Sequence, residues 1–331
     1  MQRCVRQNRH GGAREHNFPL ETEAFRNLIV PPRIKGRASN VPTPSFEQDV
    51  IGLETMRRAL AILACLCVLA GGEYFAISKW AIRHETLDLY DEARQRPVSV
   101  DLAVRRDYEM KANYGFWKLP IAIISNGNTV KNTEYSFLAN ALAARGYLVA
   151  SVQQDLPSDP PLMTRIGMPY VGRRGIYIRC EANILFVLAK LQKLQPNASY
   201  DHLTLVGHSN GGDVSMYFAK EHPELVSKVI TLDNLRVPFV LSDRLKVLSF
   251  RSKDPRFKTD PGVLPTPSQA KATGVDIVDT GALHTDLSDR GPAALKQNIQ
   301  ATLDRFLQSS ASSDLAPTDT TQPMIANPGD Y

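Results

Sequence analysis

Leu203-Thr204-Leu205-Val206-Gly207-His208-Ser209-Asn210-Gly211-Gly212 is the stretch on which the architecture turns. Its first four residues are uncharged and mostly apolar, the form of a strand buried on both faces. A helix-forming run, residues 213–222 (DVSMYFAKEH), follows the glycines without a break. A strand that passes into a helix through Gly-x-Ser-x-Gly is a tight turn that presents a serine hydroxyl. The serine backbone is strained there, so side chains two positions away would collide with it, and small residues are required at both. The start of the following helix places partial positive charge nearby. The bare pattern arises often by chance, and the strand before it and the helix after it make it informative. Ser209 is therefore expected to be a nucleophile.

The same alternation extends in both directions. Residues 97–104 (PVSVDLAV) alternate at period two, and Leu119–Ser125 (LPIAIIS) is a continuous apolar run. Residues 134–145 have helical spacing closed by Gly146, a natural C-cap. Further strands are expected at 147–152, 228–232, 245–250 and 275–278, with helices at 176–194 and 292–307. Strands alternating with helices predict an α/β fold, a mostly parallel central sheet with helices on both faces. Ligands of such sheets bind beyond the carboxyl ends of the strands. Only about a dozen residues separate Asp233 from Leu245, too few for a separate cap domain.

A serine nucleophile needs a base, and the base needs a carboxylate. Downstream of Ser209 the chain offers His222 and His284. His222 closes the helix that begins at the serine, about three turns away, and is better placed to meet the helix dipole. His284 follows the last strand and is the expected base. Three residues compete as the acid. Asp254, in the loop after strand 245–250, is favoured; Asp260 lies farther along that loop, and Asp233 ends the preceding strand. The oxyanion of the transition state needs backbone donors. The N–H of Asn210, directly after the serine, is one candidate. The other is the N–H of Asn128, in the loop Asn126-Gly127-Asn128-Thr129 after strand Leu119–Ser125, where an ordinary Asn-Gly turn is the competing explanation.

Composition narrows the alternatives. Of 39 Lys/Arg and 34 Asp/Glu, residues 1–58 hold ten and six, so the remainder is nearly neutral and nucleic-acid binding lacks its electrostatic basis. The sequence has no H-E-x-x-H, no paired-Cys motif and no P-loop, and its histidines lack metal-ligand spacing. No cofactor or metal is expected. Arg173 and Arg174 are candidates for an anionic substrate group, with a solvated pair as the plainer reading, and Tyr170 and Tyr177 are candidates for lining an acyl or aryl site.

At the amino end, Met56-Arg57-Arg58 precedes the apolar run ALAILACLCVLA (59–70) and Gly71-Gly72-Glu73. A basic start, an apolar run and a small-residue exit have the form of an export signal. Residues 56–72 are expected to be a signal peptide or, where residues 1–55 belong to the working chain, a membrane anchor. Residues 1–55 read as a disordered extension or a mis-assigned start, residues 73–308 as the catalytic domain, and residues 309–331, rich in Ser, Thr, Asp and Pro, as a disordered tail. The expected location is periplasmic or extracellular, or on the membrane.

Together these residues resemble the α/β-hydrolase superfamily over about 86–308. The segment Arg94-Gln95-Arg96-Pro97-Val98 leading into a strand is similar to exported bacterial esterases related to dienelactone hydrolases and platelet-activating-factor acetylhydrolases. In that group the loop after the first buried strand usually reads His-Gly-x, and here Asn126 stands in place of the histidine. The resemblance implies a serine hydrolase that cleaves small-molecule acyl esters through an acyl-enzyme, without metal or organic cofactor. An acyltransferase using the same residues, and a silent binding protein on the same fold, are the alternatives.

Overall fold

The computed structural model describes residues 46–162 and 171–314, so the expectations for residues 1–45, Tyr170 and 315–331 lie outside the described residues. The chain divides into two units, Met1–Leu63 and Ala64–Tyr331. A long helix, α1 (Phe46–Trp80), leads into the first strand. Its segment Glu54–Glu73 is exposed throughout and is, among the described residues, the one helix long and apolar enough to cross a membrane.

The second unit is built on eight strands: β1 (Ile82–Asp91), β2 (Arg96–Arg105), β3 (Leu119–Ser125), β4 (Leu148–Val152), β5 (Ala198–His208), β6 (Val226–Leu232), β7 (Lys246–Arg251) and β8 (Val275–Asp279). They form one sheet in the order β1-β2-β4-β3-β5-β6-β7-β8. β1 and β2 pair antiparallel, β2 meets β4 antiparallel, and every later pairing is parallel. The helices are α2 (Arg106–Asn113), α3 (Ser136–Ala143), α4 (Arg174–Leu194), α5 (Asn210–Glu221), α6 (Pro267–Thr273) and α7 (Ala293–Asp314). α7 continues to Asp314, six residues into the segment expected to be a tail.

Two hydrophobic layers cover the sheet, and the period-two alternation of β3 shows how. Leu119, Ile121 and Ile123 join the layer beneath α4 and α5, where Ile184, Val214 and Phe218 are fully buried. Ala122 and Ile124 face the opposite layer, filled by Leu138 and Leu142 of α3 and Ile299 and Leu303 of α7. A strand buried on both faces must be apolar at every position, which explains the unbroken run LPIAIIS. The parallel strands deliver their carboxyl ends to one edge. Ser209, Asp233, Asp254 and His284 all follow such ends, with the Asn126–Thr129 turn after β3 among them.

Candidate functional site

Ser209 sits between β5 and α5 at φ 54° and ψ −119°, a conformation that an L-residue rarely adopts. Such a backbone costs on the order of 1–3 kcal/mol and persists only where its surroundings enforce it. The glycines supply the room. A Cβ on Gly207 would lie 2.1 Å from the carbonyl oxygen of Gly211, and one on Gly211 would lie 2.0 Å from that of Ser125. The turn is thus packed directly against the end of β3. Ser209 donates its N–H to Leu232 O at 2.8 Å, and its carbonyl accepts the N–H of Asp213 at 3.1 Å, so both sides of the turn are tied down.

His284 opens a 3-10 turn (His284–Asp286) beyond β8 and is buried. Its Nδ1 lies 2.6 Å from Oδ2 of Asp233. Asp233, and not the favoured Asp254, lies beside this nitrogen. The reason is local. Arg256 takes the Asp254 carboxylate with Nε at 3.0 Å and Nη2 at 2.8 Å, and Asp254 reaches only the backbone N–H of His284, at 3.4 Å. The Arg256 hydrogen bonds hold the Asp254 carboxyl far below the usual carboxylate range. Asp260, the third candidate, is paired with Arg236.

Asp233 has its own positive φ of 57°, which turns its side chain back over the carboxyl end of the sheet. Its Oδ2 accepts from Ser252 Oγ at 2.6 Å, and Oδ1 accepts the N–H of Ser252 at 3.2 Å and faces Arg251 Nη2 at 3.1 Å. Burial alone would raise its pKa; the bond to His284, the charge of Arg251 and the bonds from Ser252 outweigh burial and hold it below the ordinary value. A buried carboxylate this well supplied with donors stays ionised. One face of the His284 ring lies against Phe257, with centroids 3.9 Å apart and planes 11° from parallel. Asp233 and Phe257 together fix the position and tilt of the imidazole.

A second chain of hydrogen bonds ties the loop after β3 to the His284 turn. His208 is buried, and burial, followed by its proximity to His284, pushes its pKa down to about 3. The neutral ring carries one N–H. Its Nε2 lies 2.9 Å from the His284 carbonyl oxygen, which can only accept, so the proton resides on Nε2. Nδ1 then accepts from the Tyr135 hydroxyl at 3.0 Å, and the same hydroxyl oxygen accepts the N–H of Gly127 at 2.9 Å. Gly127 is glycine because a Cβ there would come within 2.8 Å of His208 Nδ1. The Asn126 side chain closes the loop from inside, donating to Val130 O at 2.8 Å and accepting the N–H of Gln154 at 2.8 Å.

A cavity of about 360 Å³ opens over this edge, lined by Asn128, Ser209, Asp213, Leu235, Phe257 and His284 among others. It brings together Ser209, His284 and Asn128 of the expected set; Asp233 lies behind His284. Asn210 is the first residue of α5, buried, with both side-chain polar atoms unpartnered among the described residues. Arg173 lines the cavity with Arg236, Arg256 and Arg290, whereas Arg174 does not. Tyr177, expected near the substrate, is instead in the core against Tyr217. His222 pairs with Glu181 of α4 at 2.7 Å. No cluster of three or more potential metal-ligating side chains occurs among the described residues.

No protein-family model matches the sequence, and no curated protein does either. Solved structures do. A dienelactone hydrolase-like promiscuous phosphotriesterase from metagenomic libraries matches with a TM-score of 0.50 at 15% identity, over 69% of this chain and 98% of that one. The fold is that of the α/β-hydrolases. An S-formylglutathione hydrolase from Agrobacterium tumefaciens matches at TM-score 0.48 and 13% identity, over 69% of this chain and 95% of that one. A bacterial heroin esterase matches at TM-score 0.46 and 13% identity, over 72% and 87%. At such identities the α/β-hydrolase likeness is one of fold, and function has to be argued from the site.

Proposed function

We propose that this chain is a serine hydrolase that cleaves small-molecule carboxylic esters. The observation that carries the reading is the strained Ser209 sharing one cavity with His284, whose far nitrogen is held by the ionised Asp233. In this reading Nε2 of His284 takes the proton of Ser209 as its oxygen attacks the acyl carbon. Asp233 keeps the tautomer with a proton on Nδ1 and stabilises the imidazolium that forms. Backbone N–H groups of Asn128 and Asn210 receive the oxyanion, each donor worth about 3–4 kcal/mol. His284 then returns the proton to the departing alcohol. A water activated by the same histidine releases the acid and regenerates Ser209.

The hydrolase activities named for the structural neighbours are compatible with this chemistry. The exposed apolar helix supports the further proposal that residues 56–72 direct export or anchor the chain at a membrane. The test of the catalytic reading is turnover of p-nitrophenyl esters of graded acyl length, measured beside Ser209→Ala and a fluorophosphonate label. Turnover and labelling that both vanish in the variant are the expected result. Equal inactivity of two folded proteins would overturn the simple-ester reading.

A further inference from the structure

At the end of the sheet opposite Ser209, α2 closes in a turn that displays large apolar side chains. The N–H of Gly115 bonds to Ala112 O at 2.9 Å and that of Phe116 to Lys111 O at 2.8 Å, with Gly115 at φ 76°. This pair of bonds is a Schellman closure, in which the residue at the Phe116 position ordinarily packs back onto the helix. Here Phe116 is 83% exposed, Tyr114 72% and Met110 56%. The backbone is ordered by its own hydrogen bonds, and the rings still face solvent. Trp117 stacks at an angle on Tyr108, 5.3 Å between centroids, and the Arg105 guanidinium covers Tyr108 at 4.3 Å. Single exposed apolar residues need no explanation, but four within residues 110–117 form a patch.

We propose that this turn seats in the interface of a lipid bilayer. Its composition fits that partner: Trp and Tyr rings settle at the headgroup level, and Lys118, with Lys111 over the Tyr108 ring at 5.0 Å, adds positive charge beside them for anionic headgroups. The acids of α2 do not oppose this, since Arg105 holds Asp107 and Arg83 holds Glu109. Position fits as well. The N–H of Arg106, which begins α2, bonds to the carbonyl of Ala81 at 3.1 Å, so the apolar helix α1 joins the domain where the patch-bearing helix starts. β1 is antiparallel to β2, and β2 to β4, so Ile82 enters at the amino edge of the parallel strands, the edge at which β3 begins just after Lys118. α1 also runs unbroken through Gly71 and Gly72 to Trp80. The proposal rests on residues 56–72 staying with the chain as an anchor, and carries that reading further. The domain then stands on its amino edge, with the cavity over Ser209 turned away from the lipid.

The test uses the full chain with Trp80→Phe, leaving Trp117 as the one indole. The protein is mixed with vesicles of phosphatidylglycerol and phosphatidylcholine, the latter brominated near the glycerol end of its acyl chains. The expected result is co-flotation with the vesicles and an approximately two-fold fall in Trp117 emission, as for an interfacial indole. Tyr114→Ser with Phe116→Ser should reduce that quenching at an unchanged melting temperature. Flotation with undiminished emission would leave the anchor intact and overturn the docking of the turn. Failure to float would overturn both. A lipid-free dimer that Phe116→Ser returns to monomer would assign the turn to a second copy of the chain and likewise overturn the proposal.

Discussion

Nδ1 of His284 and Oδ2 of Asp233 lie 2.6 Å apart, both residues almost wholly withdrawn from solvent. Asp254, in the same neighbourhood, spends its carboxylate on Arg256 and on the backbone of the His284 turn. Asp233→Asn should therefore lower kcat on p-nitrophenyl acetate about 10³–10⁴-fold with little change in fold, because the amide favours the wrong tautomer. Asp254→Asn should cost about ten-fold or less, through a loosened turn. Reversal of that order in steady-state kinetics would return Asp254 to the acid's place.

The hydrogen bonds from Gly127 through Tyr135 and His208 to His284 make a second prediction. Tyr135→Phe leaves the Gly127 N–H without its acceptor and frees the loop that carries Asn128. We expect kcat to fall about ten-fold, with KM within about two-fold, as for a misplaced oxyanion donor. The rate of fluorophosphonate labelling should fall in parallel. An unchanged labelling rate would show that the loop holds its geometry without the tyrosine.

Gly211→Ala tests the close approach of the serine turn to β3. The added methyl group would meet the Ser125 carbonyl at 2.0 Å, a backbone atom that cannot rotate away. Destabilisation of about 3 kcal/mol or more is expected from forced backbone movement, read from urea denaturation of the two proteins.

Asp213 gives a prediction in pH. Burial pushes its carboxyl up to about 6, against the N–H groups of Leu235, Arg236 and Val237 and the charge of Arg173. A carboxyl whose folded value lies above its unfolded one binds more protons in the native state, so its contribution to stability falls as pH rises through that window. Asp213→Asn keeps an oxygen for the same N–H groups and has no such dependence. The stability of the variant relative to the parent should rise by up to about 3 kcal/mol between pH 4 and pH 7, measured by denaturation at each pH. A constant difference would mean that Asp213 is as easily ionised in the native state as in the unfolded chain.

The buried strands and the serine turn were legible in the sequence because each is fixed by its own residues: unbroken apolar runs, and glycines where a Cβ has no room. β1 was not, since an edge strand reading IRHETLDLYD is half exposed and carries charges at positions that a two-sided strand would fill with apolar groups. α2 and α6 were missed for a similar reason. α2 is short and polar, and α6 buries nothing and depends on the Thr266–Gln269 capping box. The choice of Asp233 over Asp254 depended on Arg256 and on a positive φ at Asp233, neither of which has a pattern in the local sequence. Tyr135 and His208 stand 73 residues apart, and only the parallel register of β3 beside β5 brings them together. The carboxylate of Asp289 receives the N–H groups of Ser136 and Phe137 at the start of α3, a contact across more than 150 residues that no local pattern announces.

The length of β3 sets a distance with electrostatic meaning. Seven residues of strand separate the turn at Trp117 from the loop at Asn126, a span of about 23 Å at the usual rise. Salt screens a surface potential over about 8 Å at physiological ionic strength. Whatever surface charge Lys111 and Lys118 meet, its potential has faded before it reaches His284 and Asp233, and the proton activity felt there is that of the bulk solution.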